Sequence, residues 1–175
     1  MEENGMNYLP MLAIISPIIV LLISGLWLDH SLEKLKSRLQ KSQAIVQKRA
    51  EIYSEIQKSL NNIYCYIKRV GKWQEFTPKQ IVECKRVLDQ EFHATRPFWS
   101  KEMWNAYEEF MRACFVTNRG HKSNASIIAE VEKYKELDSW DDRFTDYYHD
   151  GFSESKLDEA NDNLMNALSK DFGVE

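Results

Sequence analysis

The sequence predicts an all-α protein: one N-terminal transmembrane helix, a long helix behind it, and a helical bundle. Three observations carry this expectation. Residues 9–28 form a run of 20 positions without a charged side chain. Twelve positions from Leu32 to Val70 follow an unbroken 3-4 spacing, and ten of them are apolar or aromatic. Gly (6) and Pro (4) are scarce in 175 residues, which argues against a turn-rich β-sandwich and against a disordered linker.

The apolar run comes first. At about 1.5 Å per residue it makes roughly 30 Å of helix, the thickness of a bilayer's hydrocarbon core. Tyr8 and Trp27 stand near its ends, where amphipathic aromatics favour the headgroup level. A cleaved signal peptide fits poorly, because Glu2 and Glu3 make the start acidic and no small-x-small site follows. Lys34, Lys36, Arg38, Lys41, Lys48 and Arg49 follow the run, and only Glu2 and Glu3 precede it. The positive-inside rule then leaves residues 1–8 as an extracytoplasmic tail and places residues 29–175 in the cytoplasm of a single-pass protein. Ala13, Pro17, Val20 and Ser24 share one stripe, the pattern of helix-helix contact in lipid. Ser16 and Ser24 are the hydroxyls such a span offers to a pore.

The long helix covers residues 29–70, unbroken by Pro or Gly. Its ladder reads Leu32, Leu35, Leu39, Ser42, Val46, Arg49, Tyr53, Ile56, Leu60, Ile63, Ile67 and Val70. This is a coiled-coil or bundle signal over about 58 Å, with Gly71 as its stop. Leu32, Leu35, Leu39 and Val46 form the expected oligomer face. The more apolar half after Tyr53 is expected to pack on its own domain.

Residues 71–175 complete the cytoplasmic bundle. Thr77-Pro78-Lys79-Gln80 is a capping box with Pro at the first helical position. Pro97 ends that helix. Ser100 caps the next, which carries Trp104, Tyr107, Phe110, Met111 and Phe115 and is expected to end near Gly120. Ser123 opens another, with Ile127, Ile128, Val131, Tyr134 and Leu137. A last amphipathic helix carries Leu157, Ala160, Leu164, Leu168 and Phe172 and is closed by Gly173. No segment alternates over five residues, so strands are not needed.

Charge and motifs narrow the function. The net charge of −4 hides an asymmetry: residues 1–129 carry 18 basic and 13 acidic side chains, and residues 130–175 carry 5 and 14. An acidic C-terminal quarter does not suit a general nucleic-acid binder. Cys65, Cys84 and Cys114 are scattered, which fits a reducing compartment and no Cys-based zinc site. There is no phosphate loop, HExxH, GxSxG or dinucleotide fingerprint, so neither a metal nor a cofactor is expected. The acid- and aromatic-rich residues 138–151 lack the ligand order of a calcium loop. They read as a solvated loop with its aromatics folded onto the bundle.

One catalytic spacing is present. HEPN-type ribonucleases carry Arg, four to six residues, then His, where His transfers protons and Arg stabilises phosphate charge. Arg143 to His149 encloses five residues and Arg86 to His93 encloses six. A surface ion pair or a hydrogen bond within the bundle explains either pair equally well.

The layout as a whole resembles a known family. The segment Lys48-Arg49-Ala50-Glu51-Ile52-Tyr53, through Asn62-Ile63-Tyr64-Cys65-Tyr66-Ile67 to Gly71-Lys72-Trp73, looks like small bacterial defence proteins. It is similar to the membrane accessory proteins encoded beside the RNA-guided ribonucleases of type VI-B CRISPR systems. The resemblance implies a HEPN-like bundle and a homo-oligomeric ring in the inner-membrane bilayer. It further implies a pore that strengthens antiphage defence by permeabilising or depolarising the membrane, functionally linked to the ribonuclease. Phe144 and Val87 stand where a polar residue commonly follows the HEPN arginine. The alternatives are a membrane-tethered HEPN-type ribonuclease and a non-catalytic tether that docks a soluble partner.

Overall fold

The computed structural model describes the backbone of residues 9–117 and 125–174, and the side chains of 27–117 and 125–174. The chain is mostly helical, as its composition predicts. Helix α1 (Leu9–Lys68) is 60 residues long. Two compact units divide the chain, Met1–Ala44 and Ile45–Glu175. Among the described residues no helix is long and apolar enough to cross a membrane. The expected span, residues 9–28, falls almost wholly outside the described side chains. The contact stripe and the pore hydroxyls, Ala13, Ser16, Pro17, Val20 and Ser24, lie there too.

Helix α1 ends through a Schellman cap. The Val70 amide donates to the Cys65 carbonyl at 3.0 Å and the Arg69 amide to the Tyr66 carbonyl at 3.2 Å. Arg69 occupies the left-handed position of this cap, with φ 58°. The expected stop, Gly71, lies two residues further on, also at positive φ (64°).

Helix α2 (Pro78–Ala94) starts on the expected capping box: the Thr77 amide donates to Gln80 Oε1 at 2.7 Å, and the Gln80 amide to Thr77 Oγ1 at 3.4 Å. A 3₁₀ turn, Arg96–Phe98, then carries the chain past Pro97. Helix α3 (Lys101–Cys114) has Ser100 as its N-cap, accepting from the Met103 amide at 3.0 Å. Helix α3 stops at Cys114, well short of Gly120, and Phe115 turns into a strand.

Three short strands correct the all-α expectation. Strand β1 (Phe115–Thr117) pairs antiparallel with β2 (Ala125–Ile128), Phe115 opposite Ile127. Strand β3 (Tyr148–His149) pairs parallel with β2, Ile127 opposite Tyr148. The helix expected from Ser123 through Leu137 is therefore strand β2 followed by one turn, α4 (Glu132–Lys135). Along β2 burial alternates, with Ala125 and Ile127 buried and Ser126 and Ile128 half-buried. That period of two suits β-branched Ile127 and Ile128. Strands of two to four residues are too short for alternation to be read against the coincident helical spacing of 127, 131 and 134.

Helix α5 (Glu154–Phe172) ends on the same cap as α1, here with Gly173 at φ 70°. It packs along α3. The core of the second unit joins Ile56, Leu60, Ile63 and Ile67 of α1 to Leu88 and Phe92 of α2, Met103 and Phe110 of α3, and Leu157 and Leu164 of α5. Phe92 stacks on Tyr107 with ring centroids 3.7 Å apart. The three cysteines are free thiols.

Candidate functional site

The heptad ladder divides into two regimes. Ile56, Leu60, Ile63 and Ile67 are buried in the second unit's core. Leu32, Leu35 and Leu39 are 53%, 64% and 57% exposed, and Leu28 is exposed beside them. Val46 is half-buried at the change-over. An isolated exposed leucine means little, but leucines at 3-4 spacing along two helical turns form a continuous apolar stripe.

The polar interruption at Arg49 has a structural role. Its Nε donates to the Phe98 carbonyl at 2.6 Å. Its Nη1 donates to the Asp171 carbonyl, and its Nη2 lies 3.6 Å from Asp171 Oδ2. Asp171, 7% exposed, also accepts the Ser100 amide at 3.0 Å. One guanidinium thus ties α1 to the last turn of α5 and to the 3₁₀ turn Arg96–Phe98, and Asp171 carries the link on to the N-cap of α3. Asp171 went unread in the sequence, yet its signal is there. It falls seven residues after Leu164, on the apolar stripe of α5, and a charge in that register requires a buried partner.

A second polar centre lies at the C-terminal end of α1. The Tyr66 and Tyr148 hydroxyls are 2.5 Å apart, and the Tyr134 hydroxyl donates to the Tyr66 carbonyl at 2.9 Å. Trp73 meets both Tyr66 and Tyr134 edge-on, and Trp140 leans on Tyr148. Of the aromatics expected to fold onto the bundle from residues 138–151, Trp140, Tyr147 and Tyr148 do so, but the expected loop is a 3₁₀ helix (Asp142–Tyr147) running into β3. Burial pushes the Tyr66 phenol up to about 12, the Tyr148 hydroxyl beside it pulling the other way, and burial raises Tyr134 and Tyr148 as well. Every hydroxyl here is engaged within the protein, so the cluster is a keystone for α1, α4 and β3.

A third centre is Lys85, 6% exposed, whose ammonium sits 2.5 Å from Asp89 Oδ2. Asp89 accepts the Tyr107 hydroxyl at 2.7 Å, and burial, with the Asp89 charge next, raises the Tyr107 pKa.

Each arginine of the two Arg–His spacings has a nearby acid as an ion-pair partner. Arg143 is 88% exposed and its guanidinium engages Asp141, Nε to Oδ1 at 2.9 Å and Nη2 to Oδ2 at 2.5 Å. That hydrogen bonding holds the Asp141 carboxyl down at about 2. His149 lies exposed on β3. Among the described residues no hydrogen bond, ion pair or ring contact joins Arg143 to His149. Arg86 pairs with Glu83 at 3.3 Å one turn back. His93 rests edge-on against Trp104, whose face also carries the Arg96 guanidinium at 4.2 Å. Among the described residues no group of three metal-ligating side chains is arranged to hold an ion.

No family model matches the chain, and neither the curated proteins nor the solved structures contain a match to it.

Proposed function

We propose that the chain is a membrane-anchored protein that self-associates through the N-terminal half of α1, and that its ring of copies permeabilises a bacterial inner membrane. The observation that carries this reading is the exposed leucine stripe, Leu32, Leu35 and Leu39, continuing the ladder that the second unit buries. Burying such leucines between copies contributes roughly 1–2 kcal/mol apiece, and avidity from a shared membrane adds to that. A membrane would also force the copies parallel. In that arrangement the flanking pairs are Ser31 with Lys36 and Arg38 with Gln43 of the next helix, so no like charges face each other.

The resemblance to the membrane accessory proteins of type VI-B systems extends the reading to antiphage defence, acting with an RNA-guided ribonuclease. The occupied guanidinium of Arg143 favours a non-enzymatic role over RNA cleavage. The test is the mass and shape of the full-length protein in mild detergent, by light scattering and particle imaging, with ion release from vesicles as the functional readout. A closed ring that releases ions supports the reading. A strict monomer ends it, since one span has nothing to conduct through.

A further inference from the structure

We propose that Lys34, Arg38 and Lys41 form a basic stripe that binds the headgroups of anionic phospholipids. The inference rests on the membrane reading above and adds a ligand to it. All three side chains are exposed, and among the described residues none has an ion-pair partner. At 100° per residue they share an arc of about 60°. The leucine stripe is centred about 130° away, so self-association through the leucines leaves Lys34 and Lys41 uncovered and Arg38 at the rim of the contact. Asp29 and Glu33, the two acids of this stretch, lie about 100° or more from the stripe's centre.

The sign of these charges follows from topology alone. Their alignment on one flank does not, and neither does the direction in which they lean. Helical side chains tilt toward the N-terminus of their own helix, which is here the membrane end. Lys34, Arg38 and Lys41 lie about 9, 15 and 20 Å beyond Leu28 along the helix, with the headgroup layer occupying the first 5–8 Å. Long side chains leaning back bring all three charges within about one Debye length, ~8 Å, of the headgroup layer, Lys34 and Arg38 closest. Each cation so placed strengthens attachment to an anionic surface about fivefold.

The test is native mass spectrometry of the full-length protein in detergent, with dioleoyl phosphatidylglycerol and dioleoyl phosphatidylcholine added in equal amounts. The wild type is expected to retain the anionic lipid at least tenfold over the zwitterionic one, with a preference that falls as salt rises. The triple variant K34Q/R38Q/K41Q is expected to retain both alike. Equal retention by the wild type overturns the proposal, as does a salt-independent preference or one that survives in the triple variant. So does a single-stranded RNA that binds the wild type through these residues in preference to the lipid. The same spectra count subunits. A monomer with the lipid preference sinks the assembly reading alone, and an oligomer without it sinks the stripe alone.

Discussion

Arg49 reaches across 122 positions of sequence to the main chain and carboxylate of Asp171. A buried pair of this kind adds little net stability over an apolar replacement, but breaking it from one side strands a charge. Arg49→Met is expected to lower the unfolding free energy by about 3 kcal/mol. Asp171→Leu added to it should recover part of that loss. Chemical denaturation of the four proteins of this cycle is the check. Additive effects would mean that the two side chains are not coupled.

Replacing Leu32, Leu35 and Leu39 together by Ser removes the exposed stripe and touches none of the core. The expected result is a drop in particle mass in mild detergent toward the monomer, with the unfolding midpoint of the second unit unchanged. Ile63→Ala is the contrasting control: it should cost about 2–5 kcal/mol by leaving a cavity in the core. If the triple Ser variant keeps the wild-type mass, assembly does not run through this face.

Arg69 and Gly173 hold the same left-handed position in two copies of one cap. A side chain in that conformation costs about 1 kcal/mol, which glycine avoids. Arg69→Gly sacrifices the pair with Glu130, 3.3 Å away, which is worth little at the surface, together with the packing of a partly buried stem. It should raise the urea midpoint, while Gly173→Ala should lower it. A lower midpoint for Arg69→Gly would give the Glu130 pair the larger role.

The buried tyrosines set an alkaline limit. Tyr66 ionises near 12 in the folded protein and near 10 when unfolded. Above pH 10 the unfolded chain holds fewer protons than the folded one, so stability is full below about 10 and falls as pH rises toward 12. The slope reaches about 1.4 kcal/mol per pH unit for one such group. Tyr107, Tyr134 and Tyr148 shift in the same direction and steepen the loss. Circular dichroism across pH 9–12 should show a cooperative transition, shallower in Tyr66→Phe. A gradual, non-cooperative tyrosinate titration at 295 nm across that window would contradict the burial argument.

What could be read in the sequence was what repeats or caps. Thr77 and Gln80 announced α2, Ser100 announced α3, and the ladder past Tyr53 announced the face of α1 that the core takes. Short elements escaped, because Ala125–Ile128 spans too few residues to show its period and its isoleucines also fit a helical spacing. The functional centres divided along the same line. The exposed leucines follow from periodicity, but the partner of Arg49 lies in another helix, and only folding reveals that Asp171 is the group it meets. The Arg–His spacings illustrate the reverse case: Arg143 satisfies the motif in sequence and spends its guanidinium on Asp141, two residues away.

The reach from Arg49 to Asp171 also orders events during synthesis. Helix α1 leaves the ribosome long before α5, and until position 171 has emerged the guanidinium lacks its carboxylate and Leu157 and Leu164 are missing from the core. For that interval the chain presents both halves of its ladder, and α5 then covers only the half after Tyr53. A message broken before the codon for Leu157 therefore yields a chain whose core lacks its α5 cover. A chain translated through Asp171 has the C-terminal half of the ladder covered and Leu32, Leu35 and Leu39 still open.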